Sequence, residues 1–275
     1  MNSLTEKIQK VIARAGLGSR RQIETWIQNG RVQVNRRTAT IGDRVSNTDK
    51  ISVDGRQLSL QTAPPRQVLC YYKSTGEICT RQDQKGRTTI FERLPSPKHG
   101  RWISVGRLDF NTAGLLLLTN DGELANRLMH PSYTIEREYA VRILGEVDKA
   151  MLKRLHDGVL LSDGMARFKQ IVDAGGSGAN HWYHVTLSEG RKHEVRRLWE
   201  SQSVTVSRLI RIRFGPILLP KGLRTGHYVE LDSRSQKALL QAVGLNAEPP
   251  ARQCQYDNPP KIRPARRSIP RIKGR

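Results

Sequence analysis

A single aspartate, Asp109, stands within the segment GRLDFNTAGLLLLTND, residues 106–121. Arg107 lies two residues before it, and four consecutive leucines, Leu115–Leu118, predict a buried strand shortly after it. A carboxylate beside a buried strand is a candidate for nucleophilic or electrostatic catalysis. The alternative is a turn former, because an Asp in a segment rich in Asn, Thr and Gly can hydrogen-bond its own backbone.

The chain is strongly basic. Its 275 residues include 47 Lys plus Arg against 25 Asp plus Glu, a formal net charge of +22. Such a charge predicts a polyanionic partner. Nucleic acid is favoured over a membrane surface because the basic residues are spread over several segments. With 37% hydrophobic and 26% charged residues, the chain is expected to be globular, and it is long enough for two domains.

No leader, membrane span or cofactor motif is visible. The first residues lack an apolar core with a cleavage site, and no run reaches the roughly 18 apolar residues that a membrane span needs, so we expect a cytoplasmic protein. Neither a phosphate-binding glycine loop nor a dinucleotide fingerprint occurs, and the histidines lack metal-ligand spacing. We therefore expect no cofactor and no metal. The odd number of cysteines predicts reduced thiols at Cys70, Cys79 and Cys254.

A small N-terminal domain is predicted over residues 1–60. Two capping-box patterns, Ser3 with Glu6 and Ser19 with Gln22, predict two amphipathic helices. Strands are then expected at Arg31–Asn35 and at Lys50–Val53, the second of which is followed by an Asp54-Gly55 turn.

Basic side chains at the predicted helix ends and turns of this domain could reach a phosphate backbone, although they could also form an ordinary solvated face. They are Arg14, Arg20, Arg21, Arg31, Arg36 and Arg37. The segment GLGSRRQIETWIQNGRVQVN resembles the small RNA-binding domain first described in ribosomal protein S-four. That resemblance, over about residues 4–55, implies RNA binding.

Two Pro-rich segments mark the domain boundaries. Residues 61–67, with Pro64 and Pro65, are expected to be a linker. From Ala251 to Arg275 the chain has eight Lys or Arg against one Asp and few apolar residues, so 246–275 is expected to be a disordered basic tail. Between them, residues 68–245 alternate strand and helix patterns irregularly, which predicts an α+β domain with a mixed, mainly antiparallel sheet and flanking helices.

Three separated segments of the main domain resemble one enzyme family. Residues 106–121, REYAV at 137–141 and EGRKHEVRRL at 189–198 look like the motifs of pseudouridine synthases of the RsuA type, in that family's order. The resemblance implies a pseudouridine synthase domain that isomerises uridine in folded RNA to pseudouridine without cofactor or metal. The segments YYKSTGEICTRQD, NDGELANRLMHP and VSRLIRIRFGPILLPKGL are most similar to members that act on large-subunit rRNA. The implied partner is 23S rRNA or a pre-ribosomal particle. Nothing in the sequence argues against a monomer, which is the oligomeric state we expect.

The resemblance also implies residue roles. Asp109 would be the catalytic carboxylate, Arg196 its ionic partner, and Tyr139 the ring that stacks on uracil, although strand alternation alone would also explain Tyr139. Leu209 would pack against the target base, and Arg107 would fill the gap that a flipped uridine leaves. The RNA track would be lined by Arg191, Lys192, Arg197, Arg208, Arg211 and Arg213.

A lone carboxylate fits this isomerisation better than glycoside hydrolysis, which uses paired acids, because departing uracil spreads its charge over two carbonyl groups. Two other classes stay open. The chain could be a noncatalytic rRNA-binding assembly protein, or it could release the free base from a nucleoside. The same isomerisation on small-subunit rRNA is a further alternative.

Overall fold

The computed structural model describes residues 5–58, 66–81, 83–177 and 180–246. These residues form two compact units, 5–58 and 66–246. The prolines of the expected linker, and the expected tail beyond residue 246, lie outside the described residues. Arg66 and Gln67, which the sequence placed in the linker, belong to the second unit. Arg66 Nε lies 2.6 Å from Asp121 Oδ2, and both of these side chains are buried.

The first unit contains two helices and six short strands. In chain order they are β1 (Glu6–Lys7), α1 (Ile8–Arg14), α2 (Arg20–Gln28), β2 (Val32–Val34), β3 (Arg37–Thr38), β4 (Arg44–Val45), β5 (Ile51–Val53) and β6 (Arg56–Gln57). β1 pairs with β4, and the other strands form a sheet in the order β3-β2-β5-β6. Ile8, Ile23, Val32 and Ile51 belong to the core that joins helices and sheet.

Local sequence signals were right for α2 and wrong for the start of α1. The Ser19 and Gln22 capping box is present in full. The first helix begins only at Ile8, because Glu6 pairs with Val45 in the extended conformation of β1 and its carboxylate accepts hydrogen bonds from Arg14. Ser3 lies outside the described residues. The Asp54-Gly55 turn is confirmed: both residues have positive φ, as a two-residue hairpin requires.

The second unit contains eleven strands and four helices within the described ranges. They are β7 (Val68–Lys73), β8 (Ile103–Ser104), β9 (Ala113–Thr119), α3 (Gly122–Met129), β10 (Arg137–Leu144), α4 (Lys149–Asp157), β11 (Val159–Leu161), β12 (Gly164–Ala166), β13 (Gln170–Ser177), β14 (Asn180–Leu187), α5 (Glu194–Glu200), β15 (Thr205–Phe214), β16 (Ile217–Leu218), β17 (Tyr228–Glu230) and α6 (Ser233–Ala242). Two 3-10 turns occur at Ile90–Glu92 and Pro131–Tyr133.

Most of these strands form one sheet in the order β13-β14-β10-β15-β9-β7-β17, with β16 paired to β15 and β8 to β9. The β15 to β9 pairing is parallel, and the other pairings in the sheet are antiparallel. The expected mixed, mainly antiparallel α+β fold is confirmed. β11 and β12 form a separate hairpin.

Helices cover the sheet on both faces. α4 and α5 pack against one core cluster, which includes Leu116 and Leu118, and α3 and α6 pack against the other, which includes Leu115 and Leu117. Successive side chains of a strand point to opposite faces, so a strand buried on both sides needs apolar residues at every position. This geometry explains the run of four leucines after Asp109.

The chain must approach itself closely where β9 meets β15. Gly114 has a φ of +109°, and a Cβ atom at this position would lie 2.3 Å from the carbonyl oxygen of Arg211. Only glycine fits there. The glycine therefore fixes how the segment that follows Asp109 enters the sheet.

Within the described part of the chain, no helix is both long and apolar enough to cross a bilayer.

Cys70 and Cys79 are free thiols, and burial raises the pKa of Cys70 to about 12. Cys254 lies outside the described residues.

Candidate active site

Asp109 begins a four-residue turn, 109–112, directly before β9. The amide of Thr112 donates to the carbonyl oxygen of Asp109 at 3.1 Å and closes the turn. Leu108, directly before it, is buried in the same cluster as α4 and α5 and anchors the entry. Within the described residues, no hydrogen bond joins the Asp109 carboxylate to its own turn. The turn is therefore closed by backbone groups, which leaves the carboxylate available.

A buried lysine that the sequence analysis missed holds both ends of this turn. Lys73, at the end of β7, is fully buried, and burial lowers its pKa. Its Nζ donates to the carbonyl oxygens of Asp109 at 3.0 Å and Thr112 at 2.9 Å, and to that of Ser74 at 2.8 Å. Three carbonyl acceptors compensate for the water that the ammonium has lost.

The two middle carbonyls of the turn are held as well. The amide of Gly76 donates to Phe110 O at 2.9 Å. Arg196 Nη2 donates to Asn111 O at 2.9 Å, and its Nη1 donates to Val206 O at 2.9 Å. All four carbonyl oxygens of residues 109–112 therefore accept hydrogen bonds, and the backbone that carries Asp109 is fixed from β7, α5 and the loop after β7.

The expected ion pair between Arg196 and the Asp109 carboxylate is not formed. Arg196 is occupied by the two backbone carbonyls, and it supports Asp109 through the turn instead. Within the described residues, the ionisable side chain that contacts the carboxylate is that of His193, whose Nε2 lies 3.3 Å from Asp109 Oδ1. The Asp109 side chain is 42% exposed.

Tyr139 and Leu209 lie on neighbouring strands beside this turn. Tyr139, on β10, is in register with Arg211 on β15, which is in register with Gly114 on β9. Adjacent strands are about 4.8 Å apart, so Tyr139 is about 10 Å along this row from the strand that follows Asp109. Tyr139 and Leu209 are buried in one cluster, and Leu108 belongs to it too. Tyr139 and Leu209 thus share one core cluster with Leu108, and their contact with a target base stays a prediction.

Several arginines predicted to line an RNA track are already occupied. Arg211 is buried and donates to Leu115 O at 2.7 Å. The other three contact acidic groups: Arg213 with Glu138 Oε2 at 2.7 Å, Arg191 with Glu189 Oε2 at 2.9 Å, and Arg197 with Asp163 through two hydrogen bonds of 2.8 and 2.9 Å. Burial excludes Arg211 from contact with RNA in this conformation. RNA contact by the other three stays a prediction.

Other predicted RNA contacts are exposed. In the second unit these are Arg107, Lys192 and Arg208. In the first unit Arg20 and Arg21 are exposed on the first turn of α2, whereas the Arg14 side chain forms an ion pair with Glu6 at 2.6 Å. Their exposure is what a phosphate contact requires.

Glu194 is a second buried charge that the sequence did not identify. It begins α5 and is 3% exposed, and its Oε2 accepts from the amide of Arg191 at 3.0 Å. Burial, together with a hydrogen bond from its protonated form to the neighbouring Glu189 side chain, raises the pKa of Glu194 to about 7. The described residues contain no group of three or more His, Cys, Asp or Glu side chains arranged to hold a metal ion.

Comparisons with known proteins match both units. Residues 67–201 match the RNA pseudouridylate synthase family, and residues 6–51 match the S4 domain. A crystal structure of a pseudouridylate synthase aligns with a TM-score of 0.60 and 27% identity, covering 85% of this chain and 99% of that one.

Relatives with much higher identity are also known. The ribosomal large subunit pseudouridine synthase B of Salmonella typhi is 56% identical over 249 residues, which cover 89% of this chain and 86% of the relative. The protein of that name from Pseudomonas aeruginosa is 57% identical over 243 residues, covering 87% of this chain. The match spans 63% of the length of the Pseudomonas relative. The chain belongs to the RNA pseudouridylate synthase family and carries an S4 domain.

Proposed function

We propose that this protein isomerises one specific uridine of 23S rRNA to pseudouridine, with Asp109 as the catalytic carboxylate. The observation that carries the proposal is the half-exposed Asp109 side chain on a turn whose four carbonyl oxygens are all held. Catalysis requires a reacting group with a fixed position, and a clamped backbone supplies it. The names of the relatives favour large-subunit rRNA as the substrate.

The reaction asks for one carboxylate. The bond from N1 of uracil to C1′ of the ribose breaks, and the electron pair leaves with the base. The Asp109 carboxylate stabilises or traps the positively charged sugar, as the nucleophile of a retaining glycosidase does. The detached base turns, C5 forms the new bond to C1′, and the proton on C5 is lost while N1 gains one. The product is an isomer, so no co-reactant is consumed.

Tyr139 and Leu209 are proposed to hold the base during this turn. Both are buried in the same core cluster as Leu108, the residue that precedes Asp109, and they lie on strands β10 and β15. A flat ring and an aliphatic side chain can contact both faces of a uracil without fixing its orientation. The target must first leave its stack, at a cost of a few kcal/mol. Arg107, which is exposed two residues before Asp109, is proposed to occupy the vacated position.

Phosphate contacts are proposed for the exposed basic residues of both units. In the S4 domain these are Arg20 and Arg21, and in the synthase domain Lys192 and Arg208. Each such contact releases counterions and makes binding depend on salt. The net charge of +22 supports a polyanionic substrate of this kind.

The test is release of tritium from uracil C5 of labelled rRNA, followed by mapping of the modified position. We expect release with 23S rRNA, and we expect Asp109→Asn to abolish it while RNA affinity stays nearly unchanged. Binding without release would favour the noncatalytic alternative. Free uracil in a chromatogram of the digest would indicate hydrolysis, and release from 16S rRNA alone would move the proposal to the small subunit. Turnover by Asp109→Asn would remove Asp109 from its role.

A further inference from the structure

We infer that His193 is a positioning residue that orients the Asp109 carboxylate for reaction. This inference rests on the proposed function of Asp109. Its first support is the contact itself: His193 Nε2 lies 3.3 Å from Asp109 Oδ1. In the described part of the chain, no other side chain forms an ion pair with the Asp109 carboxylate. His193 is therefore placed to set the direction in which this carboxylate points.

The backbone of His193 supplies a second, independent observation. His193 has a φ of +53° and a ψ of +25°, a left-handed conformation that is unfavourable for a residue with a Cβ atom. It also occupies the N-cap position of α5, where its side chain makes no capping hydrogen bond. Asn or Gly would suit both the φ angle and the cap better. A locally unfavourable residue whose side chain reaches the catalytic carboxylate indicates a role in the site.

The neighbouring arginine cannot take this role in the present arrangement. Arg196 uses Nη1 and Nη2 for the carbonyl oxygens of Val206 and Asn111. Support for Asp109 is therefore divided within one segment. Arg196 holds the backbone of the turn, and His193 holds the side chain.

The variant His193→Asn, made in the full chain, tests the positioning role of His193. Asn relieves the left-handed backbone and can cap α5, yet it is too short to reach Asp109. We expect melting temperature to be maintained or raised, RNA affinity to be nearly unchanged, and the single-turnover rate to fall roughly 10- to 100-fold. His193→Gln, which keeps a donor on a longer side chain, should recover part of the rate. A purely structural role predicts the opposite, with no loss of rate in a variant that folds at least as well.

Ser203→Asn is the matched control. Ser203 has a φ of +61° after the other end of α5 and is exposed, so relief of its backbone should leave the rate unchanged. If His193→Asn turns over as fast as the wild type while Asp109→Asn is inactive, the inference is overturned and the proposed function stands. If Asp109→Asn also turns over, both are overturned. A rate loss in His193→Asn explained entirely by weaker RNA binding would overturn the inference as well.

Discussion

Lys73 holds Asp109 through the main chain and not through the carboxylate. The Nζ atom of Lys73 lies 3.0 Å from the carbonyl oxygen of Asp109, and it also binds Thr112 O at the other end of the turn. A buried ammonium group is normally paired with a carboxylate. Here the ammonium group donates to carbonyl oxygens and forms no ion pair with the Asp109 side chain.

Replacement of Lys73 should therefore damage both stability and turnover. In Lys73→Met the carbonyl oxygens of Asp109, Thr112 and Ser74 lose the buried ammonium group that donates hydrogen bonds to them. This loss should lower the unfolding free energy by about 1–3 kcal/mol. Urea unfolding measures the stability, and single-turnover kinetics measures the rate at a urea concentration where both proteins are folded. Lys153→Met is the control, because Lys153 is exposed on α4 and its loss should change stability by less than about 0.5 kcal/mol. Equal stability of the two variants would contradict the clamp.

Gly114 should tolerate no side chain. In Gly114→Ala the new Cβ would lie 2.3 Å from Arg211 O and 2.5 Å from Arg211 N, which are backbone atoms within the sheet. We expect a loss of about 3 kcal/mol or more, or failure to fold. Gly175→Ala is the control, because Gly175 also has a positive φ. A Cβ atom added at Gly175 would have no atom within 4 Å, so this variant should lose only the backbone strain energy of about 1–2 kcal/mol. Thermal unfolding of both variants decides, and similar losses would show that the close approach is not the cause.

Features set by neighbouring residues could be predicted from the sequence. The capping box of Ser19 and Gln22 and the hairpin turn at Asp54 each depend on residues within a few positions. The leucine run before Thr119 predicted a buried strand for the same reason. The sequence of β13, QIVDAGGS, has no regular alternation that would predict a strand, and it becomes a strand through pairing with β14.

The partners of charged side chains could not be predicted, because they depend on which loops meet in space. No local pattern indicates that Lys73 holds a turn that begins 36 residues further along the chain. The family resemblance implied that Arg196 pairs with the Asp109 carboxylate, but a guanidinium can bind a carboxylate or a carbonyl oxygen equally well by type. The position of the Asn111 carbonyl decides the matter. His193, which has a left-handed backbone, contacts the carboxylate instead.

The buried Glu194 should make the unfolding free energy of the protein fall as the pH rises. Burial raises its pKa to about 7 in the folded state, from an ordinary value of 4.5. Between these values the folded state binds more protons than the unfolded state, so unfolding free energy falls as pH rises through this window, by on the order of 1–3 kcal/mol. Glu194→Gln removes this proton linkage and can still accept from Arg191. In urea unfolding from pH 5 to pH 8, the unfolding free energy of the variant should rise relative to that of the wild type. If the unfolding free energies of both proteins change in parallel with pH, the raised pKa is contradicted.

Exposed arginines without acidic partners should contribute more to RNA binding than arginines that already contact acidic side chains. Arg208 is exposed on β15 beside Arg142, its partner in register, so a phosphate there would relieve repulsion between like charges. Arg213, on the same strand, already contacts Glu136 and Glu138. Arg208→Gln should therefore lower the slope of log affinity against log salt by about one, whereas Arg213→Gln should leave it nearly unchanged.

Binding to the same 23S rRNA fragment at several salt concentrations measures both slopes. The pair of variants is matched, since each removes one guanidinium from β15 and leaves the net charge of the protein equal. A general effect of charge on a polyanion would lower both slopes alike, and that result would show that RNA binding does not distinguish the two positions. A larger change for Arg213→Gln would mean that RNA displaces Glu136 and Glu138 from it. The predicted difference thus depends on the acidic neighbours that the structure gives to one arginine and not to the other.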